Sequence, residues 1–175
     1  MRVLIVSDSH GEGALLREVV DREQAEHVIH CGDFCTESAQ LPGGWITVVR
    51  GNCDWVEVPW EARWEGGGIH FLITHGHRLQ VNSSLLPLQY RAQEVGAQIA
   101  CFGHTHIPMS EWVDGVLLLN PGSLVNPRGG FPKPSYAILE TTGREDVTLS
   151  YFTPDGERLP GLGGKFPVFA RSNPP

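Results

Sequence analysis

Five successive apolar runs in this 175-residue chain close on side chains of metal-binding type. Residues 2–8 lead into Asp8-Ser9-His10, and residues 27–33 end in Gly32-Asp33. The next run closes on Gly51-Asn52-Cys53-Asp54. Later ones close on Thr74-His75-Gly76-His77 and Gly103-His104-Thr105-His106. Five of the eight histidines lie in these motifs, a placement that scattered histidines would not produce. Carboxylate, imidazole and one amide together suit manganese, iron, nickel or zinc better than magnesium or calcium, which prefer all-oxygen shells. Taken singly, each motif is compatible with an ordinary turn; the ordered series carries the signal. Alternate residues of an extended segment point the same way, so Asp8 with His10, and His104 with His106, are each expected to reach one site from one strand end.

The elements that must position these residues follow from hydrophobic periodicity. Residues 2–8, 27–33 and 45–50 are short continuous apolar runs, which read as buried strands. Leu15, Leu16, Val19 and Val20 repeat at helical spacing between the first two. Residues 70–74, 99–102, 116–119, 136–140 and 147–152 read as further strands. Leu85, Leu88, Ala92 and Val95 mark a second helix closed by Gly96. Val56, Val58, Trp60, Ala62 and Trp64 alternate with polar residues, which predicts an extended segment whose tryptophans pack under a sheet edge. Strand, helix, strand at this pace indicates an α/β arrangement, and ligands in such sheets gather at the carboxyl ends of strands.

Composition narrows the class. Gly and Pro make up about a fifth of the residues but are spread among apolar runs, which indicates many loops instead of disorder. The net charge of −7 and the absence of basic runs exclude a broad nucleic-acid surface. No run of about 18 apolar residues exists, so no membrane span is expected. Residues 2–8 do not resemble a signal peptide, and the expectation is a cytoplasmic protein with reduced thiols. Cys31, Cys35, Cys53 and Cys101 lack zinc-motif spacing and read as small packing residues. Residues 1–154 are expected to form one domain. Residues 155–175 read as a Gly- and Pro-rich tail, disordered or wrapped on the surface, with Phe166, Val168 and Phe169 able to dock, conceivably on another subunit of a homo-oligomer.

The series DSH, GD, GNCD, THGH and GHTH resembles the calcineurin-like metallophosphoesterase superfamily. GNCD with THGH, GHTHIP and LNPGS is similar to its small bacterial and archaeal phosphodiesterases, the YfcE/YsnB-like group. That resemblance implies a four-layer α/β/β/α sandwich of two mixed β-sheets flanked by helices. It also implies two divalent transition-metal ions, with manganese favoured over nickel, iron or zinc. Asp8, His10, Asp33 and His106 correspond to the ligands of one ion; Asp33, Asn52, His75 and His104 to those of the other. Asp33 then bridges both, with a water or hydroxide, and Asp33, Asn52 and His75 are the residues nearest the chemistry. Two divalent ions, two carboxylates and a hydroxide leave one positive charge, which a bound phosphodiester neutralises. The implied reaction is hydroxide attack on phosphorus in a small phosphodiester.

Beyond the ligands, Asn52 has an amide N–H to offer phosphate, and His77 and Arg128 are candidate substrate contacts. Asp54 is a candidate to orient a ligand histidine. His27, His30 and His70 are expected to be structural. Many superfamily members carry a histidine where this chain has Cys53, and that histidine is associated with the leaving group. A neutral thiol replaces it poorly, which favours diesters with activated leaving groups. The alternatives are a protein-interaction scaffold, like the small retromer subunit of related fold, and a promiscuous phosphomonoesterase.

Overall fold

The computed structural model describes residues 1–37, 41, 43–130, 132–142 and 146–168. The order of elements is β1 (Arg2–Val6), α1 (Gly13–Glu23), β2 (His27–His30), β3 (Ile46–Val48), β4 (Glu61–Gly66) and β5 (Ile69–Thr74), followed by α2 (Leu86–Glu94), β6 (Ile99–Cys101), β7 (Met109–Val113), β8 (Val116–Asn120), β9 (Tyr136–Glu140), β10 (Val147–Phe152) and β11 (Gly164–Phe166). The strands form two mixed sheets, ordered β11-β10-β9-β1-β2-β3 and β4-β5-β6-β8-β7. No helix among the described residues is long and apolar enough to cross a membrane.

The alternation of side chains builds four layers. Val3 and Ile5 of β1, with Ile29 of β2, pack against Phe71 and Ile73 of β5, Ile99 of β6 and Leu117 and Leu119 of β8, filling the space between the sheets. The intervening residues Leu4, Val6 and Val28 turn outward onto Leu16 and Val19 of α1. On the second sheet, Leu72, Ala100 and Leu118 turn outward onto Leu88 and Ala92 of α2. Central strands covered on both faces must be apolar at every position, which is why they read as unbroken runs.

Within the first sheet β1, β2 and β3 run parallel. Within the second, β5, β6 and β8 do so. The carboxyl ends of five of these strands carry the five motifs.

Three expectations are corrected here. The extended segment begins at Glu61, because Val58 N–H turns back to the Val56 carbonyl and Arg50 N–H takes the Pro59 carbonyl, leaving residues 56–60 outside any ladder. Of its two tryptophans Trp64 packs inward, stacked on His27 with ring centroids 4.0 Å apart, whereas Trp60 is 38% exposed. Part of the tail, Gly164–Phe166, is sheet and not surface wrapping. The edge strand β11 pairs with β10, and Leu159 and Val168 are buried in the core between the sheets, beside the half-buried Phe166. Phe169 lies outside the described residues.

Candidate metal centre

The backbone around the motifs is not extended. Asp8, His10, Asp33, Cys35, His104 and His106 have φ between 42° and 67°, in the left-handed region. They account for six of the nine non-glycine residues with positive φ among those described, at a cost of roughly 1–2 kcal/mol each. Cross-loop bonds impose this shape: Asp8 N–H donates to the Gly32 carbonyl, His10 N–H to that of Asp33 and Gly11 N–H to that of Phe34, at 2.8–3.0 Å. Each motif therefore presents its side chains from a turn. As a result His104 and His106 diverge: His106 joins Asp8 and His10, whereas His104 lies against His75, ring centroids 5.2 Å apart.

Two sets of ligand atoms meet over two buried carboxylates. Asp8 Oδ1 lies 3.1 Å from His106 Nε2 and 3.9 Å from His10 Nε2, and those two nitrogens are 3.3 Å apart. On the other side His75 Nε2 lies 3.4 Å from Asp33 Oδ2 and 3.2 Å from Asn52 Oδ1. Asp8, Asp33 and His75 together form one close trio; Asp8, His10 and His106 form another.

The protonation pattern follows from the outer bonds. His75 Nδ1 donates to the Cys31 carbonyl and His106 Nδ1 to the Asn126 carbonyl, each at 2.7 Å. In neutral rings this turns both Nε2 lone pairs onto the carboxylates. Asp8 Oδ1 is fully buried and has no hydrogen-bond partner. Converging lone pairs around an unpartnered buried oxygen fit a cation.

Asp54 positions ligands through the backbone and not, as expected, through an imidazole. Its Oδ2 accepts Asp33 N–H and Gly51 N–H, and its Oδ1 accepts Cys35 N–H, all at 2.8 Å. The LNPGS segment does similar work. Asn120 Nδ2 donates to the Gly103 carbonyl at 2.9 Å, and Ser123 Oγ to the Asp8 carbonyl at 2.8 Å. Glycine is required where carboxylates come close: a Cβ on Gly51 would fall 2.0 Å from Asp33 Oδ1, and one on Gly103 2.8 Å from Asp8 Oδ2.

Burial alone would raise the Asp33 pKa, but the His75 imidazole and the Cys53 N–H hold it well below the usual carboxylate range. Burial likewise pulls His75 down, and the Asp33 and Asp8 carboxylates raise it overall. Burial and then repulsion from His75 lower His77 and His104.

His77 sits in a 3-10 turn with its ring 5.4 Å from that of His75 and 6.0 Å from that of His104, so it faces the ligands. Its other neighbour is Trp60, over which the Arg50 and Arg78 guanidiniums lie at 4.6 and 5.1 Å. Arg128 is exposed, and its N–H donates to the His106 carbonyl at 3.3 Å. Cys31 and Cys101 are buried core residues as expected, but Cys35 and Cys53 are not: they lie beside His10. His27 and His70 stand apart from the ligands. His30 is fully buried directly beneath them, bonded to Ser9 Oγ at 2.9 Å.

This fold and ligand set define a metallophosphoesterase class. The calcineurin-like phosphoesterase superfamily domain matches residues 1–144, and the chain belongs to that superfamily. It is 39% identical over 165 residues to the Probable metallophosphoesterase YsnB of Bacillus subtilis, covering 93% of this chain and 96% of that protein. It is 30% identical over 168 residues to a phosphodiesterase of Methanocaldococcus jannaschii, covering 83% and 96%. A crystal structure of a conserved Streptococcus pneumoniae protein, described as a predicted phosphoesterase, superposes with TM-score 0.88 at 35% identity over 94% and 96% of the two chains. Zinc-complexed Vps29 of Entamoeba histolytica shares the fold alone, with TM-score 0.72 at 22% identity over 95% and 97%.

Proposed function

We propose that this chain is a phosphodiesterase dependent on two divalent ions. The observation that carries it is the pair of imidazoles, His75 and His106, whose Nδ1 bonds turn their lone pairs onto buried Asp33 and Asp8, one oxygen of which has no other partner. Asp8, His10, Asp33 and His106 hold one ion; Asp33, Asn52, His75 and His104 hold the other, with Asp33 shared. Bound ions of this kind activate water near neutral pH and neutralise charge on the phosphate oxygens. The mixed nitrogen-and-oxygen donor set suits manganese, nickel, iron or zinc over magnesium or calcium, and manganese is the ion we put first.

The protein's own groups orient the ester. We assign Asn52, His77 and Arg128 as its contacts, since their N–H donors suit phosphate oxygens. Cys53 follows Asn52 and offers a thiol, whose pKa burial and Asp33 raise further, so it is a weak donor to a departing alkoxide. This favours diesters with good leaving groups over monoesters.

The test is turnover of bis-p-nitrophenyl phosphate by chelator-stripped protein given Mn²⁺, Ni²⁺, Fe²⁺ or Zn²⁺. Restored turnover is expected, falling at least about 100-fold in Asp33→Asn. No turnover with any of these ions would sink the enzymatic reading in favour of a scaffold, against which the complete ligand set argues.

A further inference from the structure

The imidazole of His10 has a second side that the phosphoesterase centre does not use. Its Nδ1 lies 3.6 Å from Cys35 Sγ, and donor atoms of His10, Cys35 and Cys53 all fall within 4.8 Å of one another. We propose that His10, Cys35 and Cys53 form a site for one thiophilic cation of the zinc or cadmium class, beside the carboxylate–imidazole centre and chemically distinct from it.

The ligand types select the ion. Two thiolates and one imidazole form a soft set, which prefers zinc-like ions to manganese or magnesium. Distances agree with this. A tetrahedral ion with bonds of about 2.0–2.3 Å has ligand–ligand edges of roughly 3.5–3.8 Å. The His10–Cys35 pair already has that length, and no pair exceeds it by more than about 1 Å. Cys53 is exposed, so its side chain can close the gap and leave the fourth position to water.

The backbone holds both cysteines in place. Cys35 N–H is fixed on Asp54 Oδ1 and Cys53 N–H on Asp33 Oδ1, each at 2.8 Å. The same two carboxylates supply negative charge that favours a cation.

Occupancy has a consequence, which rests on the metal reading proposed above. Neutral imidazole has a single lone pair. A cation held at Nδ1 therefore withdraws His10 from Asp8 and His106, which face its Nε2.

The experiment is titration of Cd²⁺ into the metal-free, reductant-treated full chain, read by the ultraviolet thiolate-to-cadmium charge-transfer band. Saturation at one ion per chain is expected. Cys35→Ser and Cys53→Ser should each weaken binding more than about tenfold. His104→Ala, which touches neither cysteine, should keep the band while losing phosphodiesterase turnover, which separates this site from its neighbour. Cys53 is exposed, so its variant keeps the test open should Cys35→Ser misfold. Absence of a band, a titration in both serine variants identical to that of the unaltered chain, or loss of the band in His104→Ala would overturn the site. Cadmium loading should also weaken Mn²⁺ binding, read by electron paramagnetic resonance, more than about tenfold; unchanged Mn²⁺ affinity beside a saturated band would overturn the competition.

Discussion

Asp8 Oδ1 lies 3.1 Å from His106 Nε2, and a neutral His106 has no proton to give it, because Nδ1–H is committed to the Asn126 carbonyl. Two acceptors this close repel in a buried setting. A divalent ion held by both would turn the repulsion into two bonds, so folding and metal binding are expected to be coupled. At a hundredfold excess of ion over its Kd the native state gains about 2.7 kcal/mol. For a chain of 175 residues that is a rise in melting temperature of roughly 5–10 °C. Thermal scans of stripped protein with and without Mn²⁺ measure it; an unchanged Tm with every divalent ion would refute the coupling.

Asp54 binds three backbone N–H groups belonging to two different ligand loops. Removing it leaves three donors short of a partner, at about 1–3 kcal/mol for each that stays buried. Asp54→Ala is therefore expected to lose about 3 kcal/mol or more in denaturant unfolding, together with metal affinity. Asp54→Asn keeps one acceptor oxygen and should fall between. Equal stability of all three proteins would show that water replaces the carboxylate.

The contrast between Asp54 and the ligands shows what sequence carries and what it does not. Strand ends were legible because doubly covered strands are apolar throughout and stop sharply at a polar residue, as Val6 gives way to Asp8. That punctuation singled out the motifs; the candidate ligand set within them came from the resemblance of the ordered series to a known superfamily. The left-handed backbone at Asp8, His10, His104 and His106 was not legible, since the preference of Asp and His for it is too weak to mark single positions. It arises from bonds between loops far apart in sequence. The same holds for Cys35, which reaches His10 through the turn after β2. The edge strand β11 escaped notice because a strand covered on few sides needs few apolar residues, and Gly-Lys-Phe has one; β7, Met-Ser-Glu-Trp-Val, shows neither an unbroken apolar run nor strict alternation. Asn120 and Ser123 stood in a recognisable motif, but their work on the Gly103 and Asp8 carbonyls appears only once the loops are assembled.

Gly103 tests how tightly that assembly is drawn. A Cβ there would lie 2.0 Å from Ser7 Oγ and 2.8 Å from Asp8 Oδ2. Both neighbours are fully buried and have little room to retreat. Gly103→Ala is expected to cost about 1–3 kcal/mol as overpacking. The displaced Asp8 should weaken Mn²⁺ binding roughly 10–100-fold, as loss of ligand positioning does. Calorimetric titration of Mn²⁺ decides; wild-type affinity in the variant would mean that Asp8 is not a ligand or is held elsewhere.

His30 gives the metal-free protein a pH dependence of known sign. Burial, only partly opposed by Asp8, lowers its pKa to about 4. Its ring is neutral in the fold, accepting Gly32 N–H at Nδ1 (3.1 Å) and bonding Ser9 Oγ through Nε2 (2.9 Å). An unfolded histidine titrates near 6.5, so between about pH 6.5 and 4 the unfolded chain binds one more proton than the folded one at this residue. Stability from this residue is complete above 6.5 and declines as pH falls through that window, by about 3 kcal/mol in all. His30→Gln cannot take the proton. The difference in unfolding free energy between wild type and variant should therefore shrink by about that amount from pH 7 to pH 4. Denaturant titrations of both stripped proteins across the range measure it, and parallel curves would show that His30 titrates alike in the folded and unfolded chain.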